Sequence, residues 1–151
     1  MERLVIDTGI KEYDINGNGV LRFNPSDPNV YARFMDALPE LEKMEQEYEA
    51  RVKKLPPDAD ETKASTELLN ATRDIDQNIK RTLATVFGEE NDFNKLLGGA
   101  NLMAVAGNGK RIIANLLEAL SPIVQAGAKT YATGKVDEIK LNRAQRRAKQ
   151  R

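Results

Sequence analysis

Apolar positions recur along this chain in two different rhythms. Between residues 3 and 24 they are short and alternating: residues 4–6, 12–15 and 20–23 are brief apolar-polar stretches with β-branched members, and Asn16-Gly17-Asn18-Gly19 separates the last two. Asn-Gly between such runs is a strong hairpin signal, because both residues tolerate the positive φ of primed turns. The pattern predicts a small β-element over residues 3–24 with Leu4, Ile6, Tyr13, Ile15, Leu21 and Phe23 on one face. A ribbon this small is marginal alone, so that face is expected to pack on a helix or on another subunit.

From residue 28 the rhythm changes to three and four. Asn24-Pro25-Ser26-Asp27-Pro28 stops the strand, Ser26 or Asp27 can cap a helix, and Pro28 suits its first position, where a missing N–H costs nothing. Val30, Phe34, Leu38, Leu41, Met44, Tyr48, Val52 and Leu55 then form one stripe, predicting a helix over about residues 27–54 that Pro39 kinks or divides. A breaker at residues 56–60 precedes a second stripe, Ala64, Leu68, Ala71 or Thr72, Ile75, Ile79 and Leu83, for a helix over 61–87. Two stripes of matched length describe a long antiparallel helix hairpin. Residues 92–97 can make a short helix before Gly98-Gly99, and residues 101–106 are ambiguous. After Gly107-Asn108-Gly109, a wide apolar face of Ile112, Ile113, Leu116, Leu117, Leu120, Ile123 and Val124 predicts a helix over 109–126. Pro122, Gly127 and Gly134 weaken the later turns, so helix is expected to about residue 126, with fraying or a second piece beyond it. The fold class expected is therefore mostly α with a small N-terminal β-hairpin, forming a single domain over residues 1–141. Residues 142–151, NRAQRRAKQR, are expected to be a basic flexible tail, or helical only when bound.

Composition narrows the chemistry. The 151 residues contain no Cys and no His, so thiolate nucleophiles, Cys/His zinc sites and imidazole-based triads are excluded. No apolar run approaches the ~18 residues of a membrane helix. Residues 1–14 are too polar for a signal peptide, so a soluble, unexported protein is expected. The net charge of zero conceals an asymmetry: residues 135–151 hold seven basic residues and two acidic ones, +5, leaving −5 elsewhere.

Four stretches carry candidate chemistry. Asp14-Ile15-Asn16-Gly17-Asn18-Gly19-Val20-Leu21 matches the first eight positions of a calcium loop, but the closing ligand position is Pro25 and the flanks read as strands, so a hairpin turn is favoured. Gly107-Asn108-Gly109-Lys110-Arg111 lacks the Gly and the Ser/Thr of a phosphate loop at Ala104 and Arg111, and reads as a basic turn. Glu40, Glu42, Glu45, Glu47 and Glu49 alternate with Lys43, Arg51, Lys53 and Lys54; Glu47–Arg51 and Glu49–Lys53 are expected to pair across a solvated helix face. Arg143, Arg146, Arg147, Lys149 and Arg151 could neutralise phosphates, with no aromatic interleaved for base stacking. No cofactor or metal is implied, and an enzyme using Asp, Glu, Lys or Tyr alone would need a buried cluster of them.

The phrase LRFNPSDPNVYARF, residues 21–34, mounted between a short hairpin and an acidic helix, together with the closing NRAQRRAKQR, resembles tail assembly chaperones of long-tailed phages and prophages of Gram-positive bacteria. The resemblance covers most of the chain in layout and these two phrases in wording. It implies a non-enzymatic protein of the host cytoplasm, absent from the mature virion. Such a protein keeps the tape-measure protein soluble and recruits tail-tube subunits, often as a homo-oligomer and with a longer frameshifted form. Ile112, Ile113, Leu116, Leu117 and Leu120 are then the expected partner-binding face, with Arg143, Arg146 and Arg147 as its basic complement. The alternative is a nucleic-acid-binding or packaging accessory protein working through the basic tail.

Overall fold

The computed structural model describes residues 1–55 and 61–149. Two strands, β1 (Lys11–Asp14) and β2 (Val20–Phe23), form an antiparallel ribbon that feeds four helices. These are α1 (Pro28–Lys53), α2 (Glu61–Phe87), the single turn α3 (Phe93–Leu96) and α4 (Ile112–Lys149). The chain is mostly α with a small N-terminal β-hairpin.

The turn chemistry is local. Asn16 (φ 54°) and Gly17 (φ 75°) take left-handed conformations, Gly17 N donates to Asp14 Oδ1 at 2.9 Å, and Ile15 N donates to Gly19 O at 3.0 Å. Tyr13 pairs with Leu21 and Lys11 with Phe23 across the ladder. The ribbon starts at Lys11, however, and not at residue 3: residues 1–10 have no regular structure and every one of them is exposed. Leu4 and Ile6 therefore do not belong to the inward face that Tyr13, Ile15, Leu21 and Phe23 form.

Asp27 is the N-cap of α1, its Oδ1 accepting from Asn29 N at 2.9 Å, with Pro28 at the first position. The helix runs through Pro39 without a break. Pro39 and Met35, whose carbonyl loses its partner to the proline, are both exposed, so water can satisfy that carbonyl. α1 and α2 are antiparallel: Arg51 Nη1 lies 2.7 Å from Asp74 Oδ2 near one end, and Arg33 Nε donates to Val86 O at 3.0 Å near the other. The breaker expected at residues 56–60 lies outside the described residues. α4 is antiparallel to α1, with the Arg111 guanidinium 5.6 Å above the Tyr48 ring and Gly127 against Pro25.

One core joins all these elements. Leu21 and Phe23, Val30, Phe34 and Leu41, Ile75, Ile79, Leu83 and Val86, and Ile113, Leu120 and Val124 are buried together. Phe87 is the hub at the hairpin end: its ring centroid lies 4.8 Å from Phe23, 5.9 Å from Phe93 and 6.3 Å from Phe34. Among the described residues, the buried polar side chains Lys80 and Asn91 are engaged as well. The Lys80 ammonium directs its three donors to Asp76 Oδ2 (2.9 Å), Asn94 Oδ1 (2.8 Å) and Ala100 O (2.8 Å). Asp76 Oδ1 in turn accepts from Leu102 N at 2.8 Å, so one ion pair ties α2 to α3 and to the turn before α4.

The largest departure from the sequence reading is α4. It continues through Pro122, Gly127 and Gly134 to Lys149, so the stretch expected to be a flexible tail is helical as far as it is described. Pro122 and Glu118, whose carbonyl it orphans, are exposed, as at Pro39. Gly127 is buried for a different reason than helix breaking. A Cβ there would sit 1.7 Å from the Pro25 carbonyl oxygen, so the residue lets α4 cross directly over the strand-to-helix junction. Beyond it, Ala, Lys, Arg, Leu and Gln are good helix formers.

Candidate interaction surfaces

Three surfaces among the described residues are candidates for interaction. The first is a groove of about 540 Å³ between the hairpin and α4. Tyr13 and Ile15 form one wall, Ile112, Leu116 and Ile123 the other, and Leu97 closes an end. It is lined mainly by carbon because most of the residues around it are aliphatic.

The second surface is the far half of α4. Twenty-two residues, 128–149, extend beyond the Gly127 contact, about 33 Å of helix at 1.5 Å per residue. After Ala128, the side chains described along this stretch are exposed, including Tyr131 (45%), Ile139 (44%) and Leu141 (59%). Ile139 and Leu141 are two residues apart and so point to different sides. Lys140, Arg143 and Arg147, at i, i+3 and i+7, share a face, and Lys129 falls on the same line three turns earlier.

The third is the N-terminal arm. Its root is fixed: Gly9 (φ 72°) donates its N–H to Asp7 Oδ1 at 2.8 Å, and Asn24 Nδ2 donates to Thr8 O at 3.0 Å. Among the described residues its tip makes no such contact.

These surfaces redistribute the residues read from sequence. Ile113, Leu116 and Leu120 are buried in the chain's own core, while Ile112 and Leu117 pack at its margin. Ile112, Leu116 and Leu120 also reach the groove; Ile113 and Leu117 do not. The wide apolar face is thus core on one side and groove wall on the other. Arg143, Arg146 and Arg147 are exposed on the far half of α4, separated from that face by the whole span from Leu120 onward. No ion pair among the described residues involves them.

The remaining candidates are occupied by local structure. Asp14 accepts from the turn, and Asn18 Nδ2 donates to Leu96 O at 3.1 Å, fastening the turn to α3. In the 107–111 loop, Lys110 Nζ reaches Glu118 Oε1 at 2.8 Å, Arg111 covers Tyr48, and Val105 bridges to Arg111. On α1, Glu47 lies 4.0 Å from Lys43, and Arg51 pairs with Asp74 rather than with Glu47. The expected Glu47–Arg51 pair does not form because α2 supplies a partner at shorter range.

Spacing does not reveal Asn91. Only 2% exposed, it accepts from Arg22 N (2.9 Å) and donates to Arg22 O (3.0 Å), occupying the outer edge of β2 as a neighbouring strand would. The same amide nitrogen donates to Phe87 O at 3.0 Å, satisfying the end of α2. Among the described residues no helix is long and apolar enough to cross a membrane. No family model, no curated protein and no solved structure matches the chain.

Proposed function

We propose that this chain is a non-enzymatic assembly chaperone of the kind that serves long-tailed phages, holding a tape-measure protein soluble in the host cytoplasm and recruiting tail-tube subunits. The observation that supports it is the far half of α4. An isolated helix of that length has little stability of its own in water, and a helix-prone client laid against it would complete the packing. The layout of hairpin, acidic helix and basic helical end, and the wording of residues 21–34, point the same way.

The test is co-expression with a tape-measure protein. The full chain should raise the soluble fraction of that client, and a chain ending at Tyr131 should not. No rise with the full chain would overturn the reading.

A second reading rests on the basic face of Lys140, Arg143 and Arg147, which suits a polyanion and supports a nucleic-acid or packaging accessory role. Retention of duplex DNA should then fall steeply between low and physiological salt, and Arg143→Gln with Arg147→Gln should flatten that dependence. Salt-independent or absent retention removes it.

A further inference from the structure

The two edges of the β-ribbon are treated differently. Asn91 seals the outer edge of β2 with two hydrogen bonds to Arg22. Ile15 N donates to Gly19 O, and Tyr13 faces Leu21 across the ladder. In an antiparallel pair the main-chain groups alternate in direction, so those of Glu12 and Asp14 face away from β2. Among the described residues no main-chain group meets them. β1 is thus an open edge, and the apolar groove of about 540 Å³ lies directly beside it.

The same chain carries a segment suited to that edge. Leu4, Val5 and Ile6 are 85%, 82% and 76% exposed, a β-prone run with no partner strand among the described residues. The arm does not fold back on its own β1: its root is held at Asn24, beyond the end of β2, by the hydrogen bond from Asn24 Nδ2 to Thr8 O. We propose that the N-terminal arm of one copy adds as a third, antiparallel strand to the open edge of β1 in a second copy.

Register is set by side-chain direction. Tyr13 and Ile15 face inward and Glu12 and Asp14 outward. Setting Leu4 opposite Tyr13 places Ile6 opposite Lys11, so Leu4 enters over Ile112, Leu116 and Ile123 and Ile6 follows toward Ile123 and Ala126, where Lys11 lies. The alternate positions then match on the outside, with Arg3 opposite Asp14 and Val5 opposite Glu12. Arg3 and Val5 supply the main-chain groups that Glu12 and Asp14 lack. A one-residue slip would put Arg3 and Val5 over the groove and set Leu4 opposite a carboxylate. The second copy is the favoured occupant because this register joins charge complementarity to apolar complementarity within one sequence.

The absence of native cysteine makes the test clean. The paired Cα atoms of Val5 and Glu12 would lie about 5.5 Å apart, within disulfide reach. Val5→Cys protein mixed with Glu12→Cys protein under mild oxidation should give a disulfide-linked pair at least about tenfold faster than either alone, because docking raises the local thiol concentration. Leu4→Asp with Ile6→Asp should abolish that acceleration and reduce the solution mass to one chain, with the far-UV circular dichroism of the body unchanged. Both sites are exposed within the chain, so loss of folding is not expected. Three results would overturn the proposal: a wild-type chain that stays at single-chain mass, an aspartate variant whose mass equals the wild type, or a Val5→Cys/Glu12→Cys chain that cross-links within itself. Because client solubility is not read in any of these, failure here leaves the chaperone reading standing, and the converse holds.

Discussion

The two halves of α4 are one helix in backbone and two in circumstance. From Ile112 to Gly127 its side chains reach the core at Ile113, Leu116, Leu120 and Val124, and its backbone lies against Pro25. From residue 129 onward the side chains described are exposed. The first half is held by burial, at roughly 25 cal/mol for each Å² of apolar surface removed from water. The second is held by its own hydrogen bonds and by propensity, which seldom suffice alone. Helix in one half therefore reports folding of the body, and helix in the other reports readiness for something else.

The sharpest way to break this contrast is at Gly127. Gly127→Ala puts a methyl group 1.7 Å from the Pro25 carbonyl oxygen, a backbone atom that cannot turn aside. We expect a loss of about 3 kcal/mol and a fall of roughly 10 °C in Tm, measured by thermal denaturation. A silent substitution would mean that α4 and the 25–26 junction are not in contact.

A matched pair of leucines comes next. Leu120→Ala removes a side chain that is 3% exposed, and should cost about 2–5 kcal/mol in urea unfolding. Leu141→Ala removes one that is 59% exposed on the same helix, and should stay within about 0.5 kcal/mol. Comparable losses at both positions would show that the far half is packed in solution, by a second copy or by another element.

Hydrogen exchange locates the division without mutation. Amides around Leu116 and Leu120 should exchange only through global unfolding, and those around Arg143 through local fraying at far lower free energy. Self-association through the N-terminal arm alone would leave that step in protection where it is. A helical client bound to residues 128–149 would erase it.

The contrast also explains what is legible in the chain. Asn16-Gly17 announces the turn because its φ requirement is written in two residues, and Ser26-Asp27-Pro28 announces the start of α1 for the same reason. The stripes of α1 and α2 are legible because burial repeats every three or four residues. The N-terminal arm misleads because Leu4 and Ile6 alternate as a strand would, and periodicity says nothing about whether a partner strand is within reach. Gly127 looks like a helix breaker because its actual cause, a carbonyl from residue 25, is a hundred residues away in sequence. The face at residues 112–120 is recognisably apolar, but whether an apolar face is core or surface depends on what packs over it. Asn91 gives no signal, since its hydrogen bonds to Arg22 exist only after the hairpin and α2 have met.

The smallest expected effect bears most directly on the division. Gly134 has nothing within 4 Å of a Cβ position, so Gly134→Ala has no steric consequence. It should add helical preference worth about 0.5–1 kcal/mol. If the far half melts on its own, that gain appears as more negative ellipticity at low temperature and slower exchange around residue 134, while the Tm of the body does not move. If the Tm rises instead by the few degrees that about 1 kcal/mol implies, the two halves unfold together and α4 is a single cooperative unit. The substitution thus has the opposite sign from Gly127→Ala seven residues earlier, although both exchange a glycine for an alanine inside the same helix.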